Sequence, residues 1–375
     1  MSAAPRVGVV GLGAIGLMTA LALQRRGANV VGYERARIGH PGGASAGETR
    51  LHRVVYAEGA EYVPMLERSA ELWSELEAHL GRTVVDRTGA VAIAPTGSPV
   101  LTSLVETAQL HGLPHELIPA ADFRRHHPQF LLGDGDTCLV DAGGALLHVD
   151  NTFAAARSLA EQFGAQLHEH AAVTSITTTA AGVEVSWGST TDGLDAVVVA
   201  TGAWARELVP DVAIEARMIS VVWFPLAEPL TDAQRFPPIM RYGDDGLAFT
   251  ARPSIDGRLV MFGLNAAERL AADMADPSPT VPDAEIAALV DRLHRTTRGI
   301  HDVPAVAHAH PEAYSPDGHL IIAPVPGASR VVIAAGGSAH SFKLSPAYGE
   351  RIADIVLRTT TSGSPAPADP PSQPT

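Results

Sequence analysis

A short apolar stretch that runs straight into three glycines at G-x-G-x-x-G spacing limits most strongly what this chain can fold into. Val7 to Val10 reads as a buried strand, and Gly11, Gly13 and Gly16 follow at once. Leu17 to Arg26 reads as a helix closed by Gly27 as a C′ residue, and Asn29 to Tyr33 reads as a second strand. Glu34 ends that strand, eighteen residues after Gly16. Strand, glycine turn, helix, strand and acidic residue in this order form a dinucleotide-binding βαβ unit. Gly11 lets the chain turn tightly, Gly13 lets a pyrophosphate approach the backbone, and Gly16 lets helix and strand pack closely. Ala14 and Ile15 bring unpaired N–H groups and the positive end of the helix dipole to the phosphates. A carboxylate at Glu34 accepts hydrogen bonds from a ribose and opposes a 2′-phosphate. The unit alone does not separate NAD from FAD.

Composition bounds the rest. At 375 residues there is room for two domains, and 46% hydrophobic with 18% charged residues describes a globular protein. No apolar run reaches about 18 residues, so no membrane span is expected, and the N-terminus lacks a basic-then-apolar leader. A cytoplasmic protein is expected. Cys138 is the one cysteine, which rules out an internal disulfide framework and a cysteine metal site. A net charge of −14 argues against nucleic acid or an anionic membrane as partner. The 27 basic residues are 26 arginines and one lysine, Lys343. That lysine is either a chance survivor of a compositional bias or a place where a compact ammonium is preferred to a guanidinium fork.

Along the chain, a Gly/Ser/Ala-rich loop from Arg35 to Arg50 carries little side-chain bulk and ends at Arg50 and Arg53. These two share a face if the segment is helical or turn-like and lie on opposite faces if it is extended. A helix is expected from Ala60 to Leu80, its Tyr62, Met65, Leu66, Ser69, Trp73, Leu76 and Leu80 forming a core stripe. Thr83 to Ala94 reads as strand–turn–strand and Leu101 to His111 as a helix. His115 to Asp141 reads as irregular; its His126-His127 pair and Gly133–Asp136 run lack metal-site spacing, so no metal is expected. Asp150 is read as the cap of a helix reaching Phe163, followed by strands at Gln166–His168, Gly182–Trp187 and Asp195–Ala200. The last of these ends in Thr201-Gly202, a second small turn where backbone can meet a cofactor. From Arg217 to Gly263 strands follow one another without helices, which indicates a separate, mostly antiparallel layer. A helix at Asp283–Arg298, strands at Leu320–Ala323 and Arg330–Ala335, a Gly336-Gly337-Ser338-Ala339-His340 turn and a final helix at Ser345–Arg358 complete the pattern. No internal repeat is visible. The expected fold is α/β: a Rossmann-like nucleotide-binding domain from residues 1–85, 145–212 and 312–358, and an α+β substrate domain with a large mixed or antiparallel sheet from 86–144 and 213–311. Residues 359–375 are rich in Pro, Ser and Thr and are expected to be disordered.

Taken together, the chain resembles the flavin-dependent amine and amino-acid oxidases of the sarcosine oxidase and glycine oxidase family, from Val7 to about Leu357. The likeness rests on the Gly11-Gly13-Gly16-Glu34 unit, GETRLHR at Gly47–Arg53 and the EGAEYVPMLERSAELW helix. VVVATGAW at Val198–Trp204, PDGHLIIAP at Pro316–Pro324 and VVIAAGGSAHSFKLS at Val331–Ser345 complete it, in matching order and spacing. The resemblance implies FAD. By it, Glu34, Arg35, Ser45, Val173, Thr201, Gly202 and Trp204 join the glycine turn around the adenosine and pyrophosphate. Thr49, Arg50, Gly336, Gly337, Ser338, His340, Ser341 and Lys343 lie toward the flavin ring, His340 with a catalytic part. Arg53 and Lys343 fall where the family holds its substrate's carboxylate, which gives the lone lysine a task. The implied chemistry is C–N bond oxidation: hydride passes to flavin N5, the imine hydrolyses, and O2 becomes H2O2. Little acid–base work by the protein is needed if the amine binds unprotonated.

Three departures from the family pattern stand out. The cysteine that carries flavin covalently in sarcosine oxidases corresponds to His310, so dissociable FAD is expected, a histidyl linkage being the alternative. The lysine placed over the flavin for oxygen reaction corresponds to Met261, which points to a slower oxygen half-reaction or another acceptor. An aromatic residue and a histidine near the substrate amine correspond to Thr250 and Asn265, so a nitrogen substituent larger than methyl is expected. The competing readings are an amine dehydrogenase with another acceptor, an NADPH-dependent flavin hydroxylase, and a flavoprotein that has lost its chemistry and acts as a binding module.

Overall fold

The computed structural model describes residues 4–230, 236–264, 268–271, 274–275 and 277–361. At its centre the Arg6–Val10 strand pairs in parallel with Asn29–Tyr33 on one side and Ala196–Val199 on the other. Gln166–His168 and Ala328–Ala335 extend this sheet in parallel, and Ile321–Val325 closes one edge antiparallel. Successive residues of a strand face opposite ways. Val7, Val9, Ala196, Val198, Val332 and Ala334 therefore pack onto the helices Ala14–Arg25, Val63–Leu80, Val149–Gln162 and Ser345–Thr361. Val10, Val31, Val197, Val199 and Ile333 pack under a three-stranded antiparallel ribbon of Val173–Thr178, Val183–Trp187 and Thr190–Leu194. Both faces are covered, which is why these strands read as unbroken apolar runs.

The second layer is a nine-stranded sheet. Glu215–Pro225 lies within it, paired antiparallel with Leu259–Gly263 and, from Glu215 to Trp223, with Val306–Tyr314. Phe249–Pro253 and Ile239–Arg241 follow, and the latter joins Ala90–Pro95 in parallel, the one parallel pairing of this sheet among the described residues. Its outer face holds Val222, Phe224, Phe249, Val260 and Phe262 against Leu289 and Leu293 of the helix Asp283–Thr296. The opposite face carries Met240, Thr250, Arg252, Met261, His310 and Glu312 toward the nucleotide-binding layer, where they line a cavity.

Several expectations need correction. His115–Asp141 is not irregular: it forms the strand His115–Pro119, the helix Ala120–His126 and the strand Asp136–Asp141 at the end of the large sheet. Tertiary pairing with Ala90–Pro95 overrides weak local patterning there. The helix expected from Asp150 begins at Val149, so Asp150 sits in the first turn, where its charge still suits the dipole, and does not cap. The first helix starts at Ala14, three residues earlier than its periodicity indicates. Residues 312–314 continue the Val306–Tyr314 strand and so belong with the large sheet. The last helix reaches Thr361, and the remainder of the expected tail lies outside the described residues.

The first and last helices meet at Gly349, where an added Cβ would stand 2.6 Å from the Met18 backbone. Helix propensity alone would favour alanine there by about 1 kcal/mol. Gly349→Ala should instead lower stability, by about 1–3 kcal/mol, seen as a lower urea midpoint at unchanged slope.

Candidate active site

Strand ends and glycine turns of the first layer face the inner side of the large sheet, and between them lies a cavity of about 420 Å³. It sits at the carboxyl ends of the parallel strands, where an open α/β sheet binds its ligands. The three glycines divide their work as their spacing predicts. A Cβ on Gly11, whose φ is +87°, would meet the Ala200 carbonyl oxygen at 2.7 Å; one on Gly16 would meet the Gly11 carbonyl oxygen at 1.8 Å. One on Gly13 would meet only the Ser45 hydroxyl, at 3.5 Å, and would otherwise project into the cavity. Gly11 and Gly16 thus serve the fold, while Gly13 keeps space clear for a ligand. Glu34 is 5% exposed; its carboxylate accepts hydrogen bonds from Leu12 N–H at 2.9 Å and Ala36 N–H at 3.0 Å while lining the cavity. Ser45 Oγ accepts from Ala14 N–H at 3.1 Å, and Ile15 lines the same end. Arg35 pairs with Glu207 at 2.8 Å and lies over the Trp204 ring at 4.9 Å. Val173, Gly202 and Thr201, whose buried hydroxyl has no partner, complete this end. An extended cradle, cleared at Gly13 and flanked by a carboxylate on the second strand, fits the adenosine and pyrophosphate of FAD.

The other end is built on cations. Thr49–His52 is extended, and Arg50 and Arg53 diverge. Arg50 turns toward the cavity wall, donating to the carbonyls of Ala44, Ala46 and Thr49 and lying 5.5 Å from the Phe342 ring centre. Arg53, 5% exposed, donates to Glu58 at 2.7 Å and to the Tyr242 hydroxyl, and its guanidinium lies 5.1 Å from the Tyr56 ring centre. Lys343, 7% exposed, also lies 5.1 Å from that ring centre. Its ammonium donates to the Tyr56 hydroxyl and to the His340 carbonyl, both at 3.1 Å. Two cations far apart in the chain therefore converge on one phenol. Trp73, in the expected core stripe, is fully buried and donates its indole N–H to the Lys343 carbonyl at 3.2 Å. His340 is held at both ring nitrogens, by the Tyr56 hydroxyl at 3.0 Å and the Gly318 carbonyl at 2.9 Å, so it braces Tyr56. Gly336 has φ +83°, and Ser338 and Ala339 hold φ of 47° and 62°, values that cost energy in side-chain-bearing residues. One tertiary and one local bond hold that turn: Ser338 Oγ accepts from Ser315 N–H at 3.2 Å, and Ser341 Oγ donates to Gly337 O at 3.1 Å.

Electrostatics follow from this crowding. Burial, then the neighbouring Arg53 charge, pulls the Lys343 ammonium down to about 7. Burial, with Lys343 and Arg53, takes His52 to about 3, so it is neutral. Burial also opposes the Arg53 charge, but Glu58, Tyr242 and Tyr56 outweigh it and hold Arg53 fully cationic. On the floor, Thr250 donates to the Ile239 carbonyl at 3.3 Å, and Met261 packs with Val221 and Trp223. Asn265 lies outside the described residues. Arg252, which faces Met261 in register, donates to the Thr49 carbonyl at 3.2 Å; burial and Arg50 lower its guanidinium to about 9. Sequence reasoning missed Tyr56, Tyr242, Arg252 and Glu312. Tyr56 lies three residues past Arg53, a signal of sorts; Tyr242 meets Arg53 from just beyond the Ile239–Arg241 strand, and sheet register alone brings Arg252 and Glu312 to the cavity.

A folded-state value of about 7 against the usual 10.5 means that, between these limits, the unfolded chain holds a proton on Lys343 that the folded chain has lost. Stability from this group therefore rises with pH across that window and is lowest below it. Lys343→Met should raise the melting temperature at pH 6, with the gain shrinking toward pH 10, as calorimetry across that range will show.

Comparison with known proteins agrees with this architecture. A family model of FAD dependent oxidoreductases matches residues 6–355. Monomeric sarcosine oxidase of Streptomyces avermitilis is 32% identical over 368 residues, covering 94% of each chain. N-methyl-L-tryptophan oxidase of Yersinia pestis is 26% identical over 366 residues, covering 96% of each. Among solved structures, NikD, an unusual amino acid oxidase essential for nikkomycin biosynthesis, has the same fold, with a TM-score of 0.83 at 20% identity over 95% of this chain and 94% of its own. The chain belongs to the FAD dependent oxidoreductase family, on the sarcosine oxidase side of it, and is an FAD-dependent enzyme.

Proposed function

We propose that this enzyme oxidises the C–N bond of a glycine-type or N-substituted amino acid, and that Arg53 and Lys343 grip the substrate's carboxylate. The observation that carries this reading is that both cations line the cavity and converge on the buried Tyr56 behind its wall. A guanidinium fork fixes the plane of a carboxylate, and an ammonium adds a point charge that adjusts to it. Lys343 sits near its titration point, so an arriving carboxylate favours its charged form and proton uptake accompanies binding. His340, through Tyr56, positions the ammonium rather than touching substrate. Gly11, Gly13, Ala14, Ile15, Gly16, Glu34, Arg35, Ser45, Val173, Thr201, Gly202 and Trp204 would hold the adenosine and pyrophosphate of FAD. Thr49, Arg50, Gly336, Gly337, Ser338, Ser341 and Lys343 would border its ring. FAD, when bound, supplies the hydride acceptor at N5 and passes the electrons on to O2, giving H2O2, while the imine hydrolyses.

The short Thr250 side chain and the bare Gly263 leave the floor open beside Met261. This supports a nitrogen substituent larger than methyl. FAD is held without a covalent link in this reading: Cys138 is buried between Ile93 and Ile118, away from the cavity lining, and burial pushes its thiol up to about 12. His310 lines the cavity with a buried, unpartnered Nδ1, so it is the residue on which a covalent alternative would rest. No helix among the described residues is long and apolar enough to cross a membrane, and a cytoplasmic place of action belongs to this proposal. One observation favours an acceptor other than O2: Met261 lies in an apolar patch with Val221 and Trp223, and contributes no charge of its own to assist oxygen.

Anaerobic mixing of the FAD-loaded enzyme with N-alkyl glycines should bleach the flavin band, faster for longer alkyl groups than for sarcosine; equal rates would remove the case for a large substituent. Arg53→Met should lower kcat/KM at least about thirtyfold, as expected for losing one partner of a buried charge contact. Acid precipitation should leave the flavin in the supernatant. Reoxidation by a dye outpacing that by air would identify a dehydrogenase.

A further inference from the structure

Glu312 stands on the cavity floor within the Val306–Tyr314 strand. Its side chain is 14% exposed, and its ion-pair contact is with His310 Nε2 at 3.3 Å. Arg217 faces it in register on the neighbouring strand, but that guanidinium donates to Glu215 at 2.7 Å and lies 4.5 Å from the Tyr314 ring centre. Among the described residues the Glu312 carboxylate has His310 as its hydrogen-bond partner, and neither a backbone N–H nor a guanidinium donates to it. The Glu312 charge acts on both Lys343 and Arg50, so it lies within the field of the carboxylate clamp. A carboxylate offers about four acceptor sites, and leaving most of them unused at such low exposure is costly. Among the described residues Glu312 is the one carboxylate on a floor it shares with Ile219, Val221, Met240, Thr250, Met261, His310 and Arg252, and Arg252 donates to the Thr49 carbonyl, so a chain that keeps a carboxylate here has a use for negative charge at that point.

We propose that Glu312 is a specificity-determining residue that faces a positive charge on the substrate's nitrogen, so that the pocket selects zwitterions over simple carboxylic acids. The inference rests on the clamp reading above: the carboxylate of the substrate lies on Arg53 and Lys343, and its cationic nitrogen lies toward Glu312. Such a substrate arrives as an ammonium, and transfer of its N–H proton to the Glu312 carboxylate leaves the neutral amine that C–N oxidation requires. The substrate class narrows accordingly to amino acids whose amine is charged in solution, N-alkylated ones included, and excludes acylated amines, which carry no charge.

Two isosteric probes separate charge from shape. Trimethylglycine carries a fixed positive charge two atoms from the carboxylate carbon, and 3,3-dimethylbutanoate replaces its nitrogen by carbon; neither is oxidised. Binding of each to the FAD-loaded enzyme is read from the perturbed flavin absorbance. Trimethylglycine should bind about tenfold or more tighter in the wild type, the range of a close desolvated charge pair. Glu312→Gln should bring the ratio near one while leaving 3,3-dimethylbutanoate affinity and flavin content in place. A ratio near one in the wild type, or one unchanged in Glu312→Gln, would overturn the proposal and leave Glu312 as a counter-charge to Arg50 and Lys343. If neither probe binds the wild type, the clamp itself fails, and this inference falls with it. Loss of 3,3-dimethylbutanoate binding in Arg53→Met would show separately that the clamp is real.

Discussion

Two positive charges buried within reach of one phenol ring are the constraint to which the rest of the site answers. Arg53 and Lys343 repel one another, and burial penalises both. The structure offsets this unequally. Arg53 receives the Glu58 carboxylate and stays charged, whereas Lys343 receives only a hydroxyl and a carbonyl and is left close to losing its proton. Such strain in a free enzyme is what a carboxylate ligand can relieve, and a stable protein keeps it only where function uses it.

Holding that pair requires both ends of the chain. Arg53 follows the strand Thr49–His52, while Lys343 stands just before the last helix, in the short turn that follows the positive-φ residues Ser338 and Ala339. The two are joined through Tyr56, His340 and the Gly318 carbonyl, and the indole of Trp73 fixes the Lys343 main chain from below. The close approach of the Ser345–Thr361 helix to Ala14–Arg25 at Gly349 ties this corner to the glycine turn. Nucleotide end and substrate end are thus parts of one packed unit.

The large sheet contributes differently. Its strands bring Thr250, Arg252, Met261, His310 and Glu312 to one face by period-two alternation, with the apolar partners on the other. A register slip of one residue would bury the charged set in the core and present Phe249 and Phe262 to the cavity. The chemistry of the floor therefore depends on pairing between strands that are not sequence neighbours.

The amino-acid sequence by itself determined the βαβ unit, the separate work of Gly11, Gly13 and Gly16, the place of Glu34, the core role of Trp73 and the antiparallel character of the second layer. These are local: glycine sterics and hydrophobic periodicity act within a few residues. It also marked Arg53 and Lys343, though only through the order of motifs along the whole chain. Tertiary structure decided what no window of residues contains: that Arg50 and Arg53 part company, that Arg53 and Lys343 meet at Tyr56, that His340 is held between Tyr56 and the Gly318 carbonyl, and that His115–Asp141 becomes strand and helix. Glu312 and Arg252 entered the cavity the same way, because strand register, set by packing across the sheet, chooses which side chains share a face.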